Sequence, residues 1–186
     1  MGDWLALPQV FESMRVEMDA FYLVRGIHAH DDARHAEIAG LCKGLRVLDV
    51  GCGTGDLLLI LQQAHPEWKL HGTDISAVAL DLARRRGVKA DLHCMATIPA
   101  KRFNTVVLSQ VLEHLDAAVG QWLLDEVMRV TSRMIVSVPN GGAVKSRHHI
   151  RTFTTATLLG MLDDYGRVEL HNWSGVKKRL IAVVTR

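Results

Sequence analysis

Cysteine is scarce in this chain, three in 186 residues, and an odd count offers no disulfide framework. Cys42, Cys52 and Cys94 stand in apolar or loop settings and read as reduced thiols of a cytosolic protein. Charge of one sign is also lacking. Lys and Arg number 22 against 20 Asp and Glu, and a net +2 provides no global field to recruit nucleic acid or an anionic membrane. There is no uninterrupted apolar run near the length of a membrane span, and no basic stretch leading into an apolar one near the start. Met1-Gly2 is not followed by the Ser or Thr that myristoylation needs, because Ala6 holds that place. Repeats, low-complexity tracts, linkers and an added RNA-binding domain are all missing. Together these absences point to a soluble cytoplasmic protein of one domain, 1–186, with nucleic acid and membrane disfavoured as partners. A hydrophobic fraction of 48% supplies a core, and 23% charged residues argue against disorder.

Against that background one stretch stands out: Arg46-Val47-Leu48-Asp49-Val50-Gly51-Cys52-Gly53-Thr54-Gly55. An apolar, β-branched run meets alternating glycines, and a leucine-rich helical pattern from Leu57 to Leu61 follows at once. This is a buried parallel strand turning sharply into a helix, where doubly wound sheets bind nucleotides. Two nucleotide signatures are excluded by what is missing. A dinucleotide fingerprint needs a third glycine where Asp56 stands, and a P-loop needs a lysine that is not there.

Periodicity gives the rest of the scaffold. Residues 8–24 place Val10, Phe11, Met14, Met18, Phe21 and Tyr22 at helical spacing, with Pro8 in the first turn. A short helix follows over Asp31–Cys42, stopping at Gly44. Strands are expected at 45–50, 68–73, 88–93, 103–109, 133–138, 166–172 and 178–185. Helices are expected at 55–65, 76–86, 117–131 and 154–163, the last capped by Thr154. This alternation requires a mostly parallel sheet with right-handed crossovers. Residues 1–44 then form a helical cap on a core spanning 45–186.

The glycine stretch resembles motif I of the class I S-adenosylmethionine-dependent methyltransferases almost letter for letter. Three further segments fall in the family's order: His71-Gly72-Thr73-Asp74-Ile75-Ser76, then Phe103 through Leu115, then Ile135-Val136-Ser137-Val138-Pro139-Asn140. The resemblance covers roughly residues 45–185. It extends more loosely to the ubiquinone-pathway O-methyltransferases and to small methyltransferase-like proteins associated with methionine biosynthesis. The latter share the Leu108-Ser109-Gln110 turn and the His149-Ile150-Arg151-Thr152-Phe153-Thr154 segment. It implies a Rossmann-like, doubly wound α/β sheet of seven strands whose last strand runs antiparallel. The implied cofactor is S-adenosylmethionine. Asp49, Gly51, Cys52, Gly53 and Gly55 would lie under its methionine and ribose portion, and Asp74 would grip the ribose diol about 20 residues past the loop. Ile75 would pack on adenine, and Cys94, Met95 and Ser109 would complete the cofactor site.

Methyl transfer to an activated methyl group asks for positioning, water exclusion and, where the acceptor needs it, proton removal. The acceptor is expected to be a small molecule bearing a nucleophilic oxygen or nitrogen. His114 is the candidate general base, with Glu113 beside it, because an imidazole titrates near neutrality. A helix-start role for the same pair is the alternative. The basic residues Lys145, Arg147 and Arg151, with His148 and His149, are either a solvated loop or an acceptor clamp. The aromatic and Met stripe of residues 10–22 is either core or an acceptor lid. Some relatives hold a divalent metal through Glu-x-x-Glu-His and a later His. Here Gln110 stands in for the first carboxylate, which disfavours a hard cation at Glu113, His114 and His149, so no metal is expected. The Arg84-Arg85-Arg86 run is expected to close a surface helix and complement its dipole. Two alternatives remain: a methyltransferase-fold subunit that binds without catalysis, and an RNA-modifying enzyme.

Overall fold

Short β-branched and leucine runs form the strands, in a computed structural model describing residues 7–26, 32–94, 98, 102–141, 148–171 and 179–186. In chain order the elements are α1 (Leu7–Arg25), α2 (Asp32–Leu41), β1 (Arg46–Val50), α3 (Asp56–Ala64), β2 (Lys69–Asp74), α4 (Ala77–Arg85) and β3 (Asp91–Cys94). They continue with β4 (Thr105–Ser109), α5 (Ala117–Val130), β5 (Arg133–Pro139), α6 (Thr155–Leu162), β6 (Arg167–His171) and β7 (Arg179–Thr185). The sheet order is β3-β2-β1-β4-β5-β7-β6. Strands β1 to β5 pair in parallel, while β7 inserts between β5 and β6 and runs antiparallel to both. Strand order reverses between β1 and β4. At that switch point the crevice beyond the carboxyl ends of the strands is open to a ligand.

Both faces of the central strands are buried, so their sequences are continuously apolar instead of alternating. Leu48, Val50, Val106, Leu108, Met134 and Val136 face α5 and α6. Val47, Val107 and Ile135 face the other way, against Leu57, Leu58 and Leu61 of α3 and Leu80 of α4. Helix starts follow local chemistry. Ser76 caps α4 by accepting from the Ala79 N–H, Asp116 caps α5 from Val119, and Thr154 forms a reciprocal capping box with Thr157. Among the described residues no helix is long and apolar enough to cross a membrane.

Two strand starts differ from expectation. β3 begins at Asp91, because the preceding residues are held by helices and not by β2. Gly87 turns with φ 84°, the Val88 N–H bonds to the Ala83 carbonyl, and the Lys89 N–H bonds to Gln62 Oε1. β4 begins at Thr105, because Phe103 donates to the Val130 carbonyl and Asn104 Oδ1 accepts from Leu45 and Arg46.

Candidate active site

The turn after β1 is tied to the end of β2. The N–H groups of Gly51 and Cys52 both reach the Thr73 carbonyl, at 2.7 and 3.0 Å. Gly53 donates to Asp74 Oδ2 at 2.8 Å, and the Ser76 N–H donates to Oδ1 at 2.8 Å. Asp74 therefore organises the loop as well as facing the crevice, and bonds from the Gly53, Ile75 and Ser76 backbone still leave acceptor capacity on its carboxylate. The glycines serve different ends. A Cβ on Gly53, at φ +52°, would come within 2.7 Å of the Tyr22 hydroxyl. A Cβ on Gly55, at φ +81°, would strike Val88 at 2.6 Å and Ala83 at 3.3 Å, so this glycine lets α3 pack on α4. The Cys52 thiol is likewise turned into the core cluster around α3. The run Arg84-Arg85-Arg86 closes α4 as expected, and Arg86, its C-cap, also clamps the loop. Its Nη1 donates to the Thr54 carbonyl at 2.8 Å and pairs with Asp56 at 2.7 Å.

Beyond the strand ends lies a cavity of about 150 Å³. Gly51, Asp74 and Ile75 form one wall, Gln110, Val111 and His114 another, and Phe11, Met14, Met18 and Tyr22 of α1 close it. The Met and aromatic stripe is thus a cover over the crevice. A latch with no sequence signal holds it down: Asp19 Oδ1 accepts from Ser76 Oγ at 2.6 Å and from the Val78 N–H at 3.3 Å. Asp49, Cys52, Gly53, Gly55 and Ser109 do not reach the cavity wall. Ser109 ends β4 with a buried hydroxyl that has no partner among the described residues, and Gln110 and Val111 take its place on the wall. Cys94 ends β3, but its side chain and Met95 lie outside the described residues.

The site is rich in buried acid. Burial pushes the Asp49 carboxyl up to about 8, with repulsion from Asp74 adding to it, and Asp74 is raised as well. Burial also raises the Tyr22 phenol, again with Asp74 as the next cause. Because these carboxyls hold protons more tightly folded than unfolded, their contribution is full in acid and is lost as pH rises through the folded value. Chemical denaturation of the ligand-free protein should therefore show lower stability at pH 8 than at pH 6.5. A midpoint that rises across that window would remove the buried-acid account.

A second cavity of about 270 Å³ shares Met14, Met18, His114, Leu115 and Val119 with the first and adds Glu17, Asp116, His148 and Ile150. His114 Nδ1 donates to the His148 carbonyl at 2.9 Å, which leaves Nε2 with the lone pair. Burial lowers its pKa below the ordinary imidazole value of 6.5, so the ring is neutral near pH 7. Glu113 behaves differently. It is fully buried, lines neither cavity, and its carboxylate has no hydrogen-bond partner among the described residues. Burial raises it to about 7. Its main-chain carbonyl accepts from Ile150 and Arg151 at 2.9 and 3.1 Å, pinning the segment after β5 onto the turn after β4.

Glu113, His114 and His149 bring one possible metal-ligand atom each to within 4.8 Å of one another. Gln110 is engaged elsewhere: its Oε1 accepts from Arg179 Nη1 at 2.8 Å, and its backbone is left-handed at φ 60°. The basic cluster is divided. Arg151 stacks over Phe153 and reaches Met161 Sδ, away from either cavity, while Lys145 and Arg147 lie outside the described residues.

A seven-stranded sheet in this order, with β7 reversed and a glycine turn after β1, defines the class I S-adenosylmethionine-dependent methyltransferase fold. Magnesium protoporphyrin IX methyltransferase from Synechocystis, solved with bound SAM, superposes with a TM-score of 0.72 at 18% identity, covering 95% of this chain and 96% of that one. The family described as "Methionine biosynthesis protein MetW" matches residues 32–160, and the chain belongs to it. Among relatives, the bifunctional methionine biosynthesis protein MetXA/MetW of Rhodopirellula baltica is 31% identical over 120 residues, 59% of this chain and 19% of that protein. The ubiquinone biosynthesis O-methyltransferase of Bordetella avium is 33% identical over 88 residues, 42% of this chain and 36% of that protein. The chain thus spans only about a fifth to a third of the length of these two curated relatives.

Proposed function

We propose that this chain, acting as one unit over 1–186, is a cytoplasmic S-adenosylmethionine-dependent methyltransferase for an oxygen or nitrogen of a small molecule. The observation that carries the reading is the pair of adjoining cavities meeting at His114, one walled by Gly51 and Asp74, the other free of both. The residues present fit the cofactor. Asp74 keeps acceptor capacity for a ribose diol, Gly51 presents bare backbone to the cavity, and Ile75 offers an apolar face. When bound, the cofactor supplies a methyl group already activated as a sulfonium. The chain's own part is to orient both molecules, exclude water beneath α1, and take a proton at His114 Nε2. The cytoplasmic part rests on the odd cysteine count and on Cys42 and Cys52 being free and buried.

Asp74→Ala should weaken cofactor binding by about 1.5–3 kcal/mol, tenfold or more, since a charge-assisted bond pair is lost. Titration calorimetry with S-adenosylhomocysteine measures this, and unchanged affinity in a folded variant would take Asp74 out of the site.

One observation favours the second reading in its form of a subunit that binds a protein partner without catalysis. The first cavity, about 150 Å³, is smaller than the roughly 300–1,000 Å³ usual for ligand pockets. The cover must lift before a nucleotide-sized ligand enters, and Tyr22 is the side chain pressed on Gly53. Methyl transfer from labelled cofactor to a metabolite panel separates the two readings: the enzyme labels an acceptor, the binding subunit labels none.

A further inference from the structure

A cluster of side chains outside both cavities joins two imidazoles and a carboxylate. In the parallel pairing of β2 and β3, His71 is the register partner of Asp91, and Thr73 that of His93. Side chains alternate along a strand, so Asp91 and His93 share one face, and His71 stands on the same face directly beside Asp91. The distances are short. His71 Nδ1 is 3.2 Å from Asp91 Oδ2, and His93 Nε2 is 3.0 Å from Asp91 Oδ1. One ligand atom from each of the three lies within 4.8 Å of the others. β3 is the edge of the sheet, so the group opens to solvent on one side while His71 is buried against the ring of Phe103.

We propose that His71, Asp91 and His93 form a binding site for a borderline divalent transition-metal ion, zinc above all. Imidazole nitrogens suit zinc, copper and nickel, whereas magnesium and calcium prefer an all-oxygen shell. A tetrahedral zinc with bonds of about 2.0–2.2 Å needs its ligand atoms roughly 3.3 Å apart, and with one atom from each residue already within 4.8 Å of the others, small side-chain rotations bring the three to that spacing. Three protein ligands leave a fourth position for water or for a group from another molecule. The site is also a staple. A metal held by His71 and by two residues of β3 would fix the edge strand to β2. Neither cavity includes any of the three residues, so the site stands apart from the methyl-transfer reading and does not depend on it.

The test is competition of the full chain with a chromogenic zinc chelator, read with thermal unfolding in the presence and absence of zinc. One zinc should bind per chain and raise the unfolding temperature, since an ion that binds only the folded state stabilises it. Asp91→Asn and His93→Asn, both at partly exposed positions that leave the buried His71 in place, should each weaken zinc at least tenfold and abolish the thermal shift. Glu113→Gln and His149→Ala, at the other group of possible ligands, should leave zinc binding unchanged. Absence of zinc binding in the wild type would overturn the proposal. So would binding that survives Asp91→Asn and His93→Asn, or that is lost in His149→Ala.

Discussion

His114→Ala should lower turnover by roughly 10²–10⁴-fold while leaving cofactor affinity nearly unchanged, the mark of a group that acts on a proton in the transition state. The structure supplies the reason. Nδ1 is committed to the His148 carbonyl, Nε2 is left with its lone pair, and the ring stands on the wall that both cavities share. Because burial lowers its pKa below 6.5, the wild-type rate should rise with pH on the acid side of that value and be flat by neutrality. His114→Ala should lose that limb. If His114 only starts the turn after β4, the variant will lose stability while turnover per folded molecule stays within a few-fold. Chelator distinguishes the remaining route. With Gln110 bonded to Arg179, Glu113 lining neither cavity and no second carboxylate grouped with it among the described residues, EDTA should leave the rate unchanged. A chelator-sensitive rate restored by Mg²⁺ or Mn²⁺ would place a metal at Glu113, His114 and His149 instead.

Gly53→Val should abolish cofactor binding. Two effects add at this position. Its φ of +52° is a conformation that a β-branched residue adopts only under strain, of order 1–3 kcal/mol, and its Cβ would meet the Tyr22 hydroxyl at 2.7 Å. On the proposed reading a ribose and methionine tail would take the place that the Tyr22 hydroxyl holds over Gly53, and the valine would occupy it. Gly55→Val makes an informative contrast. Its Cβ would strike Val88 and Ala83, so the cost there falls on folding, through the packing of α3 on α4. Calorimetric titration that finds Gly53→Val still binding would refute the loop assignment.

The strand–glycine–helix pattern of β1 and α3 was legible because each level agreed: apolar run, glycine spacing and leucine periodicity pointed one way. So was the cap at Thr154, since its short hydroxyl precedes an apolar helical pattern. What stayed hidden depends on contacts between residues far apart in sequence. Asp19 latches α1 to Ser76 across 57 positions, and Arg86 reaches back 32 to the glycine loop. Neither has a local signal, because an acid in a helix and an arginine at a helix end both have ordinary surface roles. Periodicity did show the Met and aromatic stripe of α1, but an apolar face alone cannot say whether it meets the core or covers a crevice. The cluster of His71, Asp91 and His93 was invisible for the same reason: only the register of β2 against β3 brings those residues side by side.

Equilibrium titration of the full chain with S-adenosylhomocysteine decides whether the glycine turn and Asp74 form a cofactor site. Saturable binding of one ligand per chain is expected, weakened tenfold or more by Asp74→Ala and lost in Gly53→Val. A folded wild-type chain that takes up no ligand, or that binds it equally well in Gly53→Val, would contradict it.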